Sequence, residues 1–424
     1  MRKITRLLIL LFFVSSVPAA GLRAEEVLTW DACIKEAAKN HPDLIAAQEQ
    51  VKESEASKKI TASTLYPQVD ATASATTARN DTGITNSTGD TYTYGVTGSQ
   101  LIFDGMQTVN NVKSASENIK AAKQNFRFTS ATVRYRLRSA FISLLKTQSM
   151  LNITQEIYDI RRGNLELIAL RYESGLENRG ALLTAEANLA QAKYEISQAK
   201  RQVEVAQRNL TKEMGRSQLI PMQVKGDFDV ADSVGSKPDF ESLAVKNPSL
   251  QQILAQKNAA EFSLKSTYGA YAHTLSGNAG AGKTDSHWSP KQDEWNMGLT
   301  LSLPIFEGGL RNAQVSQAKA LLNQLKENER STRDGIVLTL EQAWAALQDA
   351  MDNVGVQKEV LAATEERSRI SQAQYSLGFI SFDNWTIIED NLVNAKRTYL
   401  FAQAAALLAE ANWIQAKGET LEYD

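Results

Sequence analysis

From Trp295 to Ile305 apolar and polar positions alternate without a slip. Trp295, Met297, Leu299, Leu301, Leu303 and Ile305 hold one parity, and Asn296, Gly298, Thr300, Ser302 and Pro304 the other. Period two over eleven residues predicts a strand with one apolar face. A weaker copy lies upstream, with Tyr92, Tyr94 and Val96 against Thr91, Thr93 and Thr97. Partner strands are expected at about 68–78, with Val69 and small Ala on one face, and at about 269–283. With them the alternating segments become hairpins of about 68–78 with 91–103, and 269–283 with 294–306. Between the partners, Thr82–Asp90 and Thr284–Asp293 are rich in Gly, Asn, Ser, Thr and Asp, the composition of loop tips.

The rest of the chain carries helical periodicity. From Met106 to about Glu173 only Gly163 interrupts a run free of breakers. A helix of that length spans roughly 100 Å, too long for a compact domain. The following helix, 181–214, shows a heptad seam of Leu182, Ala185, Leu189, Ala192, Ile196, Ala199, Val203, Ala206 and Leu210. Large residues alternating with Ala at steps of three and four predict close helix-on-helix packing. A second long helix, 308–374, and a helix 382–416 with Trp385, Ile388, Leu392, Ala395, Tyr399, Ala402, Ala406, Ala409 and Trp413 repeat the scheme. Shorter helices are expected from Thr29, a plausible N-cap, toward Thr64, and from Pro238–Asp239 toward Lys265.

These parallels are one tandem duplication. Phe103 matches Phe306 and Gly105 matches Gly308, 203 residues on. The same offset joins Tyr172 to Tyr375, Gly175 to Gly378, and EANLAQAK (186–193) to EDNLVNAK (389–396). Upstream, NHPDL (40–44) matches KNPSL (246–250) at an offset of 206. The expected organisation is a leader at 1–24, a first repeat at 25–215, a linker at 216–238, a second repeat at 239–417 and a tail at 418–424. Phe-acid-Gly, in SQLIFDGM (99–106) and SLPIFEGG (302–309), is where each outgoing strand turns into its long helix. The bends are therefore Phe103 and Gly105, and Pro304, Phe306, Gly308 and Gly309, with glycine relieving the backbone.

Eleven alternating residues suit a tilted strand crossing a bilayer, and an apolar outside with a small polar inside suits a water-filled barrel. Tyr92, Tyr94, Trp288 and Trp295 sit near strand ends, where an aromatic girdle lies. Alternation alone favours a half-buried sheet in a soluble protein. The first residues shift the balance. Arg2, Lys3 and Arg6 precede the apolar run Leu7–Val14, and small residues follow to Ala24. This reads as a secretory signal peptide, cleaved after Ala19 or Ala24; the run is short for a membrane anchor. Four strands per chain cannot close a barrel, and an open sheet edge in lipid leaves backbone groups unpaired at several kcal/mol each. If the strands lie in a membrane, several chains share one barrel.

Composition adds exclusions. The 424 residues carry a net charge of -2, which argues against a nucleic-acid binder with a basic face. The single Cys33 makes no internal disulfide and suits a small buried side chain. His41, His273 and His287 are far apart and show no metal-ligand spacing. Gly277–Thr284, GNAGAGKT, matches the phosphate-loop pattern G-x-x-x-x-G-K-T, but it runs on into Asp285, His287 and Pro290 where a helix would have to open. No catalytic or cofactor-binding residue is expected, and no metal.

AAKNHPDL and AVKNPSL, LPIFEGG and QLIFDGM, and the two Tyr-x-x-Gly segments before N-L-x-x-A-K together resemble the TolC-type outer-membrane efflux proteins. The resemblance covers about residues 27–417. It implies a mainly α fold with a β-barrel, in which a homotrimer shares a twelve-stranded barrel in outer-membrane lipid. The barrel continues as a coiled-coil tunnel across the periplasm. Arg216–Lys237 and the residues after Lys417 would girdle its middle. The implied function is a passive export duct serving an inner-membrane transporter through a periplasmic adaptor, in tripartite efflux or type I secretion. A periplasmic coiled-coil structural or adaptor protein is the alternative reading; such a protein would carry one helical hairpin and no two-fold repeat.

The far helix ends turn at Glu173–Arg179 and Ser376–Asp383, where Gly175 and Gly378 suit left-handed C-caps. By resemblance these tips form the periplasmic entrance and meet the adaptor, through Tyr172, Gly175, Leu176, Tyr375, Gly378 and Phe379. Family entrances are narrowed by acids six residues after the second hairpin Gly; here Asn384 stands there, with Asp383 beside it. Arg171 and Arg179, pairing with Glu173, Glu177 or Asp383, complete the expected gate. The first bend departs from the pattern, with Leu101 in place of Pro304 and Met106 in place of Gly309.

Overall fold

The computed structural model describes residues 26–81, 86–228 and 236–421. The leader, part of the first loop tip and part of the linker lie outside them. The chain runs β1 (Glu26–Leu28), α1 (Trp30–Asn40), α2 (Pro42–Ser63), β2 (Gln68–Asp81), β3 (Asn86–Phe103), α3 (Gln107–Glu173), α4 (Arg179–Glu213) and β4 (Met222–Val224). The second half runs α5 (Phe240–Lys246), α6 (Pro248–Gly269), β5 (Thr274–Asp285), β6 (Gln292–Ser302), α7 (Leu310–Ser376) and α8 (Phe382–Lys417). The two long helices have 67 residues each.

Several boundaries differ from expectation, each for a local reason. The first helix breaks at His41, because a residue before proline is driven out of the helical region. His41 then caps α2, its Nδ1 accepting from the Asp43 N–H at 3.2 Å. Asn247 does the same before Pro248, accepting from Ser249 N–H at 2.9 Å. Helix α6 continues to Gly269, so β5 starts at Thr274 rather than at 269. Strand β6 ends at Ser302 instead of reaching 306, since Pro304 has no N–H for the ladder. Strands β2 and β3 run longer than expected, to Asp81 and from Asn86.

The four long strands form one antiparallel sheet in the order β2-β3-β5-β6. The hairpins emerge from the helices at one end, where both bends use left-handed backbone. Gly105 and Met106 have φ of 68° and 67°, and Gly308 and Gly309 60° and 86°. Met106 thus keeps the geometry of Gly309 without being glycine, at a cost of about 1–2 kcal/mol. Met106→Gly is expected to raise stability by about 1 kcal/mol. The denaturant midpoint checks this; an unchanged or lower midpoint refutes it.

Away from the sheet the helices pack side by side. Helix α3 lies against α2, α4, α6 and α8, and α7 lies against α6 and α8. In α4 an Ala column, Ala185, Ala192, Ala199 and Ala206, is buried, while Leu189, Ile196 and Val203 stay half-buried. The largest core sits midway along α3. There Leu137, Phe141 and Leu144 meet Cys33, Leu210, Met222 and Leu421. Full burial of Leu137 or Leu210 contributes roughly 1.5–3 kcal/mol each. Burial pushes the Cys33 thiol up to about 12, which leaves it inert.

Beside this core β1 and β4 form a small parallel sheet, Glu26 opposite Met222 and Leu28 opposite Val224. Arg216 clamps its edge. Its guanidinium donates to Glu36 at 2.5 and 2.7 Å and to Glu26 at 2.7 and 3.1 Å. Hydrogen bonding to Arg216 holds the Glu26 carboxyl below its usual range. A lowered folded pKa stabilises above the ordinary carboxylate value, and that contribution is lost as pH falls through the folded one. Arg216→Ala is therefore expected to cost about 1.5–3 kcal/mol at neutral pH, toward the low end because Glu26 is partly solvated. It should also flatten the loss of stability in acid. Thermal unfolding at stepped pH is the measurement; an undiminished acid dependence would contradict the clamp.

Candidate functional site: a two-faced sheet and the helix tips

The register sorts the sheet residues onto two faces. Trp295, Met297, Leu299 and Leu301 stand opposite Ala281, Ala279, Gly277 and Leu275. Ala281 and Ala279 face Val96 and Gly98, which face Ala71 and Val69. One face is therefore apolar across all four strands. The other carries Asn296, Gly298 and Thr300, then Gly280 and Asn278, then Thr97 and Ser99, then Asp70 and Gln68. Leu299 is 72% exposed and Ile305 93% in the single chain. A soluble protein rarely leaves so long an apolar stripe uncovered; lipid covers it at no cost. At the hairpin tips Tyr92 packs edge-on to Trp288 with ring centroids 5.9 Å apart, and Lys283 pairs with Asp293 at 2.8 Å. This is the amphipathic rim of a membrane segment. Among the described residues no helix is long and apolar enough to cross a membrane.

The phosphate-loop lookalike belongs to this sheet. Gly277–Thr284 lies within β5, and Gly282 pairs with Gly95. A Cβ on Gly95 would come 2.9 Å from the Ala281 carbonyl oxygen. These glycines let strands approach; they open no helix and hold no phosphate cradle.

At the opposite end both long helices stop in the same way. Gly175 has φ 72° and Gly378 φ 80°. The Leu176 N–H donates to the Arg171 carbonyl at 2.8 Å, and Phe379 N–H to the Gln374 carbonyl at 2.8 Å. Gly175 and Gly378 close the inner turn onto Tyr172 and Tyr375 carbonyls at 3.0 Å each. This is a Schellman end, which needs the left-handed residue. Asn178 and Ser381 then cap the returning helices, accepting from Ala181 and Asn384 N–H groups.

The expected contact residues divide. Leu176 and Phe379 are 67% and 76% exposed, and Tyr172 is also exposed. Tyr375, its counterpart one repeat on, is 1% exposed and leaves the surface. It stacks on Trp385 with centroids 4.4 Å apart and planes at 11°, and its hydroxyl donates to Glu177 Oε2 at 2.9 Å. Burial and then the Glu177 carboxylate push its pKa up to about 12.

The expected gate pairings also change. Arg171 makes no ion pair with Glu173, Glu177 or Asp383 among the described residues. Its guanidinium lies 4.9 Å from the Tyr375 ring centroid, and its Nη1 donates to the Ser376 carbonyl at 3.3 Å. The cation thus satisfies a helix-end carbonyl and an aromatic face of the other hairpin. Arg179, Asp383 and Asn384 are solvent-exposed. Residues not anticipated from sequence tie the long helices together behind the tips. Arg161 pairs with Asp390 at 2.5 Å, Ser368 donates to the buried Glu389 at 2.5 Å, and Lys396 pairs with Glu156. Their signal was a charged residue beside an apolar seam position.

Comparison with known proteins agrees with this geometry. Residues 33–216 and 240–419 match the family described as outer membrane efflux protein. The outer membrane efflux protein BepC of Brucella suis biovar 1 (strain 1330) is 24% identical over 362 residues, 82% of this chain and 78% of that protein. The structure of CusC, a transmembrane channel, superposes with a TM-score of 0.82 at 19% identity, covering 91% of each chain. The CmeC outer membrane channel of Campylobacter jejuni gives 0.81 at 18% identity, covering 92% of this chain and 86% of that one. The two matched segments are the two repeats, each with its hairpin and long helix; the chain belongs to the outer membrane efflux protein family.

Proposed function

We propose that three copies of this outer-membrane export channel close one barrel of twelve strands, and that their helices continue it as a tunnel through the periplasm. The observation that carries this is the two-faced sheet with two open edges. Strand β6 runs antiparallel to β2 within the sheet order, so β6 of one copy meets β2 of the next in the same sense as every internal pair. Closure removes the edges that lipid cannot tolerate. The apolar face then meets lipid and the Asn, Thr, Ser and Gly face lines the pore.

The duct is passive, and the driving energy comes from an inner-membrane transporter. A periplasmic adaptor bridges the two by docking on the helix tips, where Leu176, Leu377 and Phe379 offer an apolar patch. Tyr172, Gly175 and Gly378 shape that patch. Arg171, held on Tyr375, with Arg179, Asp383 and Asn384 around it, forms the closed mouth. Tyr375→Phe removes a hydrogen bond to a carboxylate worth about 1.5–3 kcal/mol per chain, and is expected to raise the open fraction of single channels. Unchanged conductance and cation selectivity in Asp383→Ala would remove Asp383 from the mouth. An adaptor reading of the whole chain leaves the membrane sheet without a role.

Purified protein in a planar bilayer tests the duct: stable ion-conducting steps are expected. Protein that inserts and conducts nothing, even with the Tyr375→Phe mouth, would overturn it.

A further inference from the structure

A groove of about 1140 Å³ lies between α3, α4 and α8. Small-molecule sites run to about 300–1,000 Å³, so it has room for a drug-sized solute. Lys146, Arg201, Arg208 and Lys212 line it, and no carboxylate does.

Helix geometry sets the side on which this groove opens. Leu137 of α3 and Leu210 of α4 point into the core with Cys33 and Met222, the side of the helix layer that carries α1, β1 and β4. At 3.6 residues per turn, nine residues rotate a helix face by about 180°. Lys146 stands nine residues after Leu137, and Arg201 nine before Leu210. Both therefore face away from that core. Arg208 and Lys212 lie within about 20° of the same direction. In a closed ring, a small sheet and a helix packed inside would plug the tunnel. The core then sits outside and the groove opens on the lumen.

The cations are available to a solute. Arg201 and Arg208 are solvent-exposed and make no ion pair among the described residues. Glu204, the acid between them on α4, does not line the groove. Lys146 lies 5.7 Å from the Phe401 ring centroid, and Lys212 pairs with Glu213 at 2.7 Å. Exposed apolar side chains stand among them, with Val205 at 71% and Phe401 at 49% exposure. The helical wall itself does not demand these charges. At the offset of 203 their counterparts are Asp349, Ala404, Ala411 and Gln415, so the second half builds the same helix pair with none of the four cations.

We infer that the groove is a transit site in the tunnel wall for one class of cargo, organic anions with an apolar body. This rests on the passive-duct reading above. A carboxylate or sulfonate on the cargo meets the guanidiniums, whose forked donors match its oxygens in pairs. The apolar body covers Val205 and Phe401. A cleft lined by one sign of charge raises the local concentration of solutes of the other sign. Water and salt in the open lumen screen these contacts, so bound cargo is released onward.

The test uses full-length protein in a planar bilayer, with 1-naphthalenesulfonate as probe and 1-naphthylmethanol as its uncharged counterpart. The sulfonate is expected to block the open current briefly and repeatedly. Arg201→Gln combined with Arg208→Gln should weaken that block by roughly tenfold. The same variant should shift the reversal potential in a salt gradient toward cation preference, with conducting steps and assembly retained. Any effect of the uncharged probe should be the same in both proteins. Arg201→Lys combined with Arg208→Lys should keep the selectivity and most of the block. Val205→Asn should weaken the block and leave the reversal potential alone. Equal block and equal reversal potential in wild type and the glutamine variant overturn the site, while the conducting steps leave the duct standing. A glutamine variant that no longer assembles assigns the arginines to contact between copies and overturns the site as well. No conducting steps from wild type overturns the duct itself.

Discussion

Leu299→Arg is expected to remove assembled protein from the outer membrane. Leu299 stands midway along the apolar stripe from Trp295 to Ile305 and is 72% exposed on that face. An arginine at the bilayer midplane of a barrel costs about 2–4 kcal/mol, and the proposed ring of three copies would incur it three times. Native folds are stable by only about 5–15 kcal/mol, so a loss of this size is a large fraction of the whole. Thr300→Arg, one residue further, points to the polar face beside Ser276 and should insert normally and alter conductance instead. The pair separates a lipid-facing strand from a soluble sheet. Membrane fractionation of both variants checks it; equal insertion of the two would refute the assignment of faces.

Gly105→Ala should produce a large loss for a single-methyl change. Two effects add. The residue sits at φ 68°, where a side chain costs about 1–2 kcal/mol. The new Cβ would also lie 2.6 Å from Ala272 Cβ and overlap the Gly269 carbonyl oxygen. That carbonyl accepts the Ala272 N–H at 2.9 Å and is fixed by the end of α6. Such overpacking costs about 1–3 kcal/mol more. A total of about 2–5 kcal/mol lowers the denaturation midpoint clearly. Gly308→Ala, open in the single chain, should cost only the backbone component in isolated protomers. Equal midpoints for the two would show that the close contact at Gly105 does not constrain the bend.

Much of this architecture is legible in sequence because its solvents are extreme. Lipid and water on opposite faces imprint every residue from Trp295 to Leu303, so parity is visible without neighbours. Gly175 and Gly378 are legible for a similar reason: a Schellman end selects glycine directly. The repeat offset is legible because both halves build the same unit.

What stays hidden depends on context that the repeat does not share. Tyr172 and Tyr375 are equivalent by offset, yet one is exposed and the other buried. The difference lies in Trp385, whose counterpart is Leu182: only the second hairpin offers Tyr375 a flat ring to stack on. Arg171 could not be paired from sequence either, since its partners are a ring and a carbonyl rather than an acid. Strands β1 and β4 have three residues each, too few to show a period. Their pairing is set by the core around Met222 and by the Arg216 clamp.

The central claim is that one chain is a third of a closed wall. The most direct measurement is the native mass of the protein extracted from outer membranes in mild detergent, corrected for bound detergent. The account predicts three chains. A single chain recovered from the soluble periplasmic fraction would contradict it.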